Sequence, residues 1–333
     1  MRVALCTTTI NIPHVLKLYR ACGPDVRFFV AGDQKTPFEA GQLLRDVGNA
    51  WLCTGEQYKC SELIGWNSIQ RRNIAFLEAL KWGADMIVSV DDDNAPIDDG
   101  YFHSFRRALG GPHRGIMSNN VDNWFDVGTL LQPRAKHRGF PSSIKAVNKF
   151  THVVDVKAGV AAGICLGDPD IDAVTRLALA PEVHQVSQLL EAGIVVNPHT
   201  WTVFNSQNTA VLRDLVPAWG MIPFVGRMDD IYASLICQRV MRERNLHVRF
   251  GHPFVWQQRN DHNLVKDLRG EIDGYENVER LADVLDHITL LGKSVIDDCR
   301  RIWGTLNHVD YIPGRSVQAM SAYLDDCEAA GCK

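Results

Sequence analysis

The chain has 333 residues, of which 46% are hydrophobic and 22% charged, with a net charge of −4. That length suffices for one large α/β core plus an appendage, and a weakly negative chain without a long basic stripe is not expected to bind nucleic acid. No run of about eighteen apolar residues occurs, the N-terminus lacks the long apolar region and cleavage site of a signal peptide, and nine cysteines lie scattered without CxxC spacing; the expectation is a cytoplasmic protein with reduced thiols and no membrane span.

In chain order, Arg2–Ile10 reads as a first core strand, residues 13–22 as a short helix ending before Gly23-Pro24, and residues 26–31 as a second strand closed by Gly32-Asp33. Residues 37–47 read as helix and 50–53 as a short strand. Residues 67–82 carry apolar side chains at helical spacing (Ile69, Ile74, Phe76, Leu77, Leu80) and stop at Gly83. Met86–Val90 is again strand-like. This alternation predicts a mostly parallel central sheet flanked by helices. Beyond residue 110 the signals weaken: residues 153–156 suggest a strand, 181–192 a helix, 229–243 an amphipathic helix and 250–258 an extended segment. From Tyr275 onward the chain reads as helices over 278–291, 294–303 and 316–330. The expected organisation is therefore a domain over 1–270 and a C-terminal helical extension over 271–333 that packs on the core or on another copy of the chain. No GxGxxG follows the first strand and no GxxxxGK[ST] loop exists, so NAD is not an expected cofactor.

The densest chemistry follows the strand Met86–Val90, which ends in Asp91-Asp92-Asp93. Three adjacent carboxylates repel one another and call for a cation; Mg²⁺ or Mn²⁺ prefers such ligands and commonly carries substrate phosphates with it. Strand ends are also where α/β folds place ligands, so Asp91 and Asp93 are candidate metal ligands, and Asp91, Asp92, Thr8, Asp33 and Arg72 candidate substrate contacts. The other reading is a solvated acidic turn. In Gly226-Arg227-Met228-Asp229-Asp230 the two acids either cap a helix or serve as catalytic carboxylates or sugar-hydroxyl ligands, with Arg227 offsetting their charge. Asp168, Asp170 and Asp172 alternate with turn residues, as an acidic loop or as acceptors for sugar hydroxyls. His262, in a polar stretch after an extended run, is either a third metal ligand or an incidental residue. Arg138, beside a tight turn, suits a diphosphate. Asn119-Asn120 and the run Asn205 to Asn208 add uncharged hydrogen-bonding groups.

Together these segments resemble the reversibly glycosylated polypeptides, that is the plant UDP-arabinopyranose mutases and their bacterial relatives. Asp91-Asp92-Asp93 is similar to that family's IDDD, Arg138-Gly139-Phe140-Pro141 to its RGYP, and Pro169 to Thr175 to its PDYDAPT. Asn208, five residues before Arg213-Asp214-Leu215, resembles its MNLAFNREL, and Gly226 to Ala233 its GRYDDMWA. The order is shared over roughly residues 85 to 240. The resemblance implies a glycosyltransferase-A-like fold, a need for Mn²⁺ or Mg²⁺ and no flavin, with a nucleotide sugar as substrate and pyranose–furanose interconversion as activity. It makes Asp91 to Asp93 the metal–diphosphate motif, and Arg138, Asp170, Asp172, Asn208, Asp229 and Asp230 the sugar-site candidates. Lys145 stands where plant members carry their glycosylated arginine, Met228 where the family has tyrosine, and Gln257 where it has a late histidine, which leaves His262 as the substitute. These departures resemble the bacterial branch acting on GDP-L-fucose more than the plant branch on UDP-arabinose. A glycosyltransferase of the same fold and a non-catalytic partner subunit are the rival expectations.

Overall fold

A computed structural model describes residues 1–120, 124–258 and 263–332. Its strands are β1 (Val3–Thr8), β2 (Arg27–Ala31), β3 (Ala50–Cys53), β4 (Met86–Val90), β5 (Asn94–Pro96), β6 (His113–Ser118), β7 (Trp124–Phe125), β8 (Leu131–Gln132), β9 (Phe150–Val156), β10 (Ala158–Gly167), β11 (Gln185–Val186), β12 (Ile194–Val196), β13 (Trp201–Thr202), β14 (Asn208–Leu212) and β15 (His247–Gln257). Its helices are α1 (Leu16–Cys22), α2 (Phe38–Val47), α3 (Lys59–Ile64), α4 (Arg72–Trp82), α5 (Tyr101–Leu109), α6 (Ala173–Leu179), α7 (Gln188–Ala192), α8 (Asp229–Arg242), α9 (Leu264–His287), α10 (Val295–Leu306) and α11 (Gly314–Ala329).

Eleven strands form one sheet in the order β3-β2-β1-β4-β14-β10-β15-β12-β6-β9, with β5 paired to β15. Helices cover both faces. Alternation along β1 sends Val3 and Leu5 into a core under α1, α2 and α5, and Ala4 and Cys6 into a larger core under α4, α8 and the C-terminal helices. The result is a mixed α/β architecture with a large central sheet flanked by helices.

The expected mostly parallel sheet is parallel from β3 to β4. Beyond that, β14 lies antiparallel to β4 and β10 antiparallel to β14, while β10 and β15 are parallel. After β4 a tight turn at Asp91–Asp93 leads straight into β5, which pairs antiparallel with β15, and α5 then leads to β6. β10, the long strand at the centre, was not expected. Its sequence Ala158-Gly-Val-Ala-Ala-Gly-Ile-Cys-Leu-Gly is nearly all buried and rich in small residues, so it shows neither alternation nor a branched apolar run.

The 270/271 boundary falls inside α9, a continuous helix from Leu264 to His287. The C-terminal helices share the main core: Tyr323 is fully buried and donates to the Val216 carbonyl at 3.2 Å, and Ser316 donates to the Pro223 carbonyl at 2.6 Å. Among the described residues, no helix is long and apolar enough to cross a membrane.

Candidate functional site

The C-terminal ends of β1 and β4 open into a cleft of about 1130 Å³ of empty volume. Its lining joins residues far apart in sequence: Thr8 at the end of β1, Ile10 after it, Arg72 at the start of α4, Asp91 to Asp93, Arg138, Asp170, Ser206, Gln207, Gly226, Arg227, Asp229, Asp230 and Gln257. Next to it a second hollow of about 660 Å³, lined by Thr8, Thr9, Asp33, Asn67, Ser68, Arg71 and Asp92, shares Thr8 and Asp92 with the cleft.

One end of the cleft is the acidic turn. Arg72, 1% exposed, pairs with Asp91 Oδ1 at 2.7 Å, and its other terminal nitrogen donates to Ser206 and Ser89. Thr9 donates to Asp92 Oδ2 at 2.5 Å, and burial pushes the Asp92 carboxyl above its ordinary range. Gln257 Nε2 reaches both oxygens of Asp93 at 3.4 Å, and Gln207 in turn donates to the Gln257 side-chain oxygen.

The other end is built on Arg138, which is 6% exposed. Its guanidinium grips Asp170 with two bonds of 2.7 Å and reaches Asp230 Oδ1 at 3.0 Å, while a further N–H meets the Arg227 carbonyl. Burial would raise the Asp170 carboxyl, but Arg138 outweighs it and holds Asp170 well below the usual carboxylate range. Asp229 is different. It is 5% exposed and accepts from Gln70 Nε2 at 2.8 Å, a neutral amide. Burial first, and the adjacent Asp230 second, push it up to about 7. The N-cap of α8 is Met228, and no side chain caps that helix; the two acids occupy its first turn with their carboxylates turned to Gln70, Ser206 and Arg138.

Several sequence candidates stand elsewhere. Asp172 caps α6, accepting from the Thr175 N–H at 3.0 Å, and takes a further bond from Tyr275 at 2.8 Å, so it does not line the cleft. Asn208 is fully buried within the sheet, bonded to Tyr101 and to the Pro253 carbonyl. Lys145 is exposed on a loop outside the cleft lining. Arg227 lines the cleft, but its guanidinium turns to Glu271 and Asp267 on α9 at 3.0 and 3.3 Å. Arg138, from a different loop, therefore offsets the acidic pair. Asp33 lies in the neighbouring hollow, where it accepts backbone N–H groups of Asn67 and Ser68. His262 lies outside the described residues. Gln70 and Thr9 carried no sequence signal: each is one polar residue at an element end, given meaning only by Asp229 and Asp92 opposite.

Among the described residues no group of three or more His, Cys, Asp or Glu is poised to hold a metal ion by itself. A hard dication that enters with a diphosphate needs only one or two carboxylates, because phosphate oxygens and water complete its shell. Asp91 and Asp93 supply that number. Charge points the same way: the lining carries six aspartates against three arginines, so a diphosphate anion entering alone would meet net repulsion. The donor set fits a cation shared with phosphate and does not fit a protein-only cage.

The family model of the STELLO glycosyltransferases matches residues 227–333. UDP-arabinopyranose mutase 1 of Oryza sativa subsp. japonica is 28% identical over 170 residues, which is 47% of this chain and 43% of that protein. The chain thus spans less than half the length of this relative. A solved Bacillus anthracis structure, assigned as a glucose-1-phosphate thymidylyltransferase in complex with a sucrose, aligns over 87% of this chain and 97% of its own at 11% identity. Its TM-score of 0.33 is too low to bear on the fold.

Proposed function

We propose that this chain is a nucleotide-sugar enzyme, and specifically a flavin-independent mutase that interconverts pyranose and furanose forms of a nucleotide-linked sugar, with GDP-L-fucose as first candidate and UDP-arabinose as second. The observation that carries the proposal is a single cleft that joins an acidic turn suited to a metal-bound diphosphate with an Arg138–Asp170–Asp230 cluster and a carboxyl that titrates near neutrality. The likeness to a UDP-arabinopyranose mutase supports the reading.

Asp91 and Asp93 would hold the Mn²⁺ or Mg²⁺ that comes with the diphosphate. That cation would supply charge stabilisation to the departing diphosphate. Asp170, kept ionised by Arg138, and Asp230, bonded to the same guanidinium, stabilise positive charge at C1 as the C1–O bond to phosphate breaks and its electron pair leaves with the diphosphate. The sugar O4 then bonds to C1 and gives up its proton, and Asp229 takes it. When the diphosphate oxygen re-attacks C1, the C1–O5 bond breaks with its electrons on O5, and Asp229 returns the proton there. The exchange is proton-neutral and needs one group that works in both directions; a carboxyl with a pKa of about 7 is suited to that. Burial of the cluster limits hydrolysis.

The test is incubation of the protein with Mn²⁺ and, separately, GDP-L-fucose, UDP-arabinose and UDP-galactose, followed by chromatography with mass detection. A new peak of unchanged mass is expected, and Asp91→Ala and Asp93→Ala should abolish it. Full activity in both variants would remove the metal assignment. A second reading, transfer to an acceptor, is favoured by the match to the STELLO glycosyltransferases over 227–333. Its signature is free nucleoside diphosphate with no isomer.

A further inference from the structure

The cleft has two ends, and the tripeptide Asn205-Ser206-Gln207, just before β14, touches both. Asn205 Nδ2 donates to Asp170 Oδ2 at 3.0 Å. The Gln207 carbonyl accepts from the Asp91 N–H at 3.2 Å and from Asn94 Nδ2 at 2.9 Å. Ser206, 3% exposed, sits between them with every polar atom engaged. Its N–H and its hydroxyl both donate to Asp230 Oδ2, at 2.9 and 3.0 Å. The same hydroxyl oxygen accepts from Arg72 Nη1 at 3.0 Å, and the Ser206 carbonyl accepts from Arg72 at 3.0 Å and from the Ser89 hydroxyl at 2.7 Å. Arg72 is the ion-pair partner of Asp91. An unbroken chain of charge-assisted bonds thus runs from Asp91 through Arg72, Ser206 and Asp230 to Arg138 and Asp170.

We propose that Ser206 is a positioning residue that locks the acidic turn and the Arg138 cluster into one register, so that a ligand held at the turn presents its sugar to Asp170 and Asp230. Burial makes a rigid link physically effective here, because buried charges without water depend on fixed partners. The proposal rests on the nucleotide-sugar reading for its ligand, but the linkage itself is a property of the chain.

Ser206→Ala keeps the backbone bond to Asp230 and removes the hydroxyl from both neighbours. Calorimetry with GDP and GDP-L-fucose, and with UDP and UDP-arabinose, separates the two ends. For the pair that binds, affinity for the nucleoside diphosphate is expected to stay within about twofold, while the extra affinity due to the sugar falls roughly tenfold, the worth of one charge-assisted bond. Ser206→Thr, which keeps the hydroxyl, should recover that extra affinity. Asn205→Ala, which removes the tripeptide's own bond to Asp170, should lower the sugar's extra affinity in the same way if the serine variant fails to fold. Hydrogen exchange without ligand provides the second readout: Ser206→Ala should speed opening at residues 138–140 with little change in melting temperature. Equal loss of both affinities would make Ser206 a fold residue only. Unchanged exchange and unchanged affinities would overturn the linkage. If no nucleotide binds the unaltered protein, the nucleotide-sugar reading fails, and the exchange result alone decides whether Ser206 holds the two ends together.

Discussion

Asp229 and Asp170 are both buried aspartates of one cleft, yet they titrate in opposite directions because burial and the adjacent Asp230 raise Asp229 while the Arg138 guanidinium outweighs burial at Asp170. The folded-state pKa of Asp229, about 7, lies above its ordinary value. The stability linked to it is therefore full at low pH and is lost as pH rises toward and through about 7. Asp170 is depressed, so its contribution is present above the ordinary carboxylate range and lost on acidification. Asp229→Asn removes the penalty paid by a charged Asp229. It should raise stability at pH 8 more than at pH 5, by on the order of 2 kcal/mol, and leave stability near pH 3 almost unchanged, which thermal unfolding at the three values would measure. The same variant should retain nucleotide affinity and lose turnover by at least about a hundredfold, the usual range for a lost general acid–base. If only nucleotide affinity falls, Asp229 is a binding residue. Arg138→Lys supplies one ammonium in place of a three-way fork, and should cost about 3 kcal/mol in denaturant unfolding by leaving buried carboxylates short of donors.

At the scale of elements, the site depends on helices that cap or press on one another across the fold. Gly226 adopts a left-handed backbone (φ 63°), and a Cβ there would lie 2.5 Å from the Gly270 carbonyl of α9. This close approach seats α9 on the segment that leads into Asp229 and Asp230. Gly226→Ala must strain that backbone or push α9 away. The expected cost is about 2 kcal/mol, with turnover impaired more than nucleotide binding, by unfolding and calorimetry on the same variant. A second case is α3, whose own N-cap Tyr58 offers no side-chain bond. Asp326 of α11 takes its place, accepting from the N–H groups of Lys59 and Cys60 at 3.1 and 2.9 Å. Asp326→Ala should therefore lose about 1–2 kcal/mol of global stability, an N-cap penalty at a residue some 266 positions away in sequence. An unchanged melting temperature would show that α3 does not need this cap.

At the scale of the whole molecule, the C-terminal helices complete the core: Met320 and Tyr323 of α11 pack against Gly220, beside the buried Trp219. Removal of residues after 287 would expose that face, and the shortened chain is expected to aggregate on expression; a monodisperse, cooperatively melting product would show that the tail is dispensable. Sequence by itself determined the alternation of β1 to β4 with helices, the acidic turn at the end of β4 and the long helices of the tail, because each is a local pattern of period two or 3.6, or a run of like charges, which neighbouring residues alone reveal. It also marked Arg138, Asp170, Asp229 and Asp230 as polar residues at turns and helix starts, without their partners. Only the tertiary structure decided that Asp172 caps a helix while Asp170 meets Arg138, that Arg227 turns to α9, that β10 runs through the centre of the sheet, and that Asp229 faces a neutral amide. Apart from the local cap made by Asp172, each of those outcomes depends on a partner tens to hundreds of residues away, and whether a buried carboxylate is neutralised, bonded or left protonated is set by that partner and by the exclusion of water.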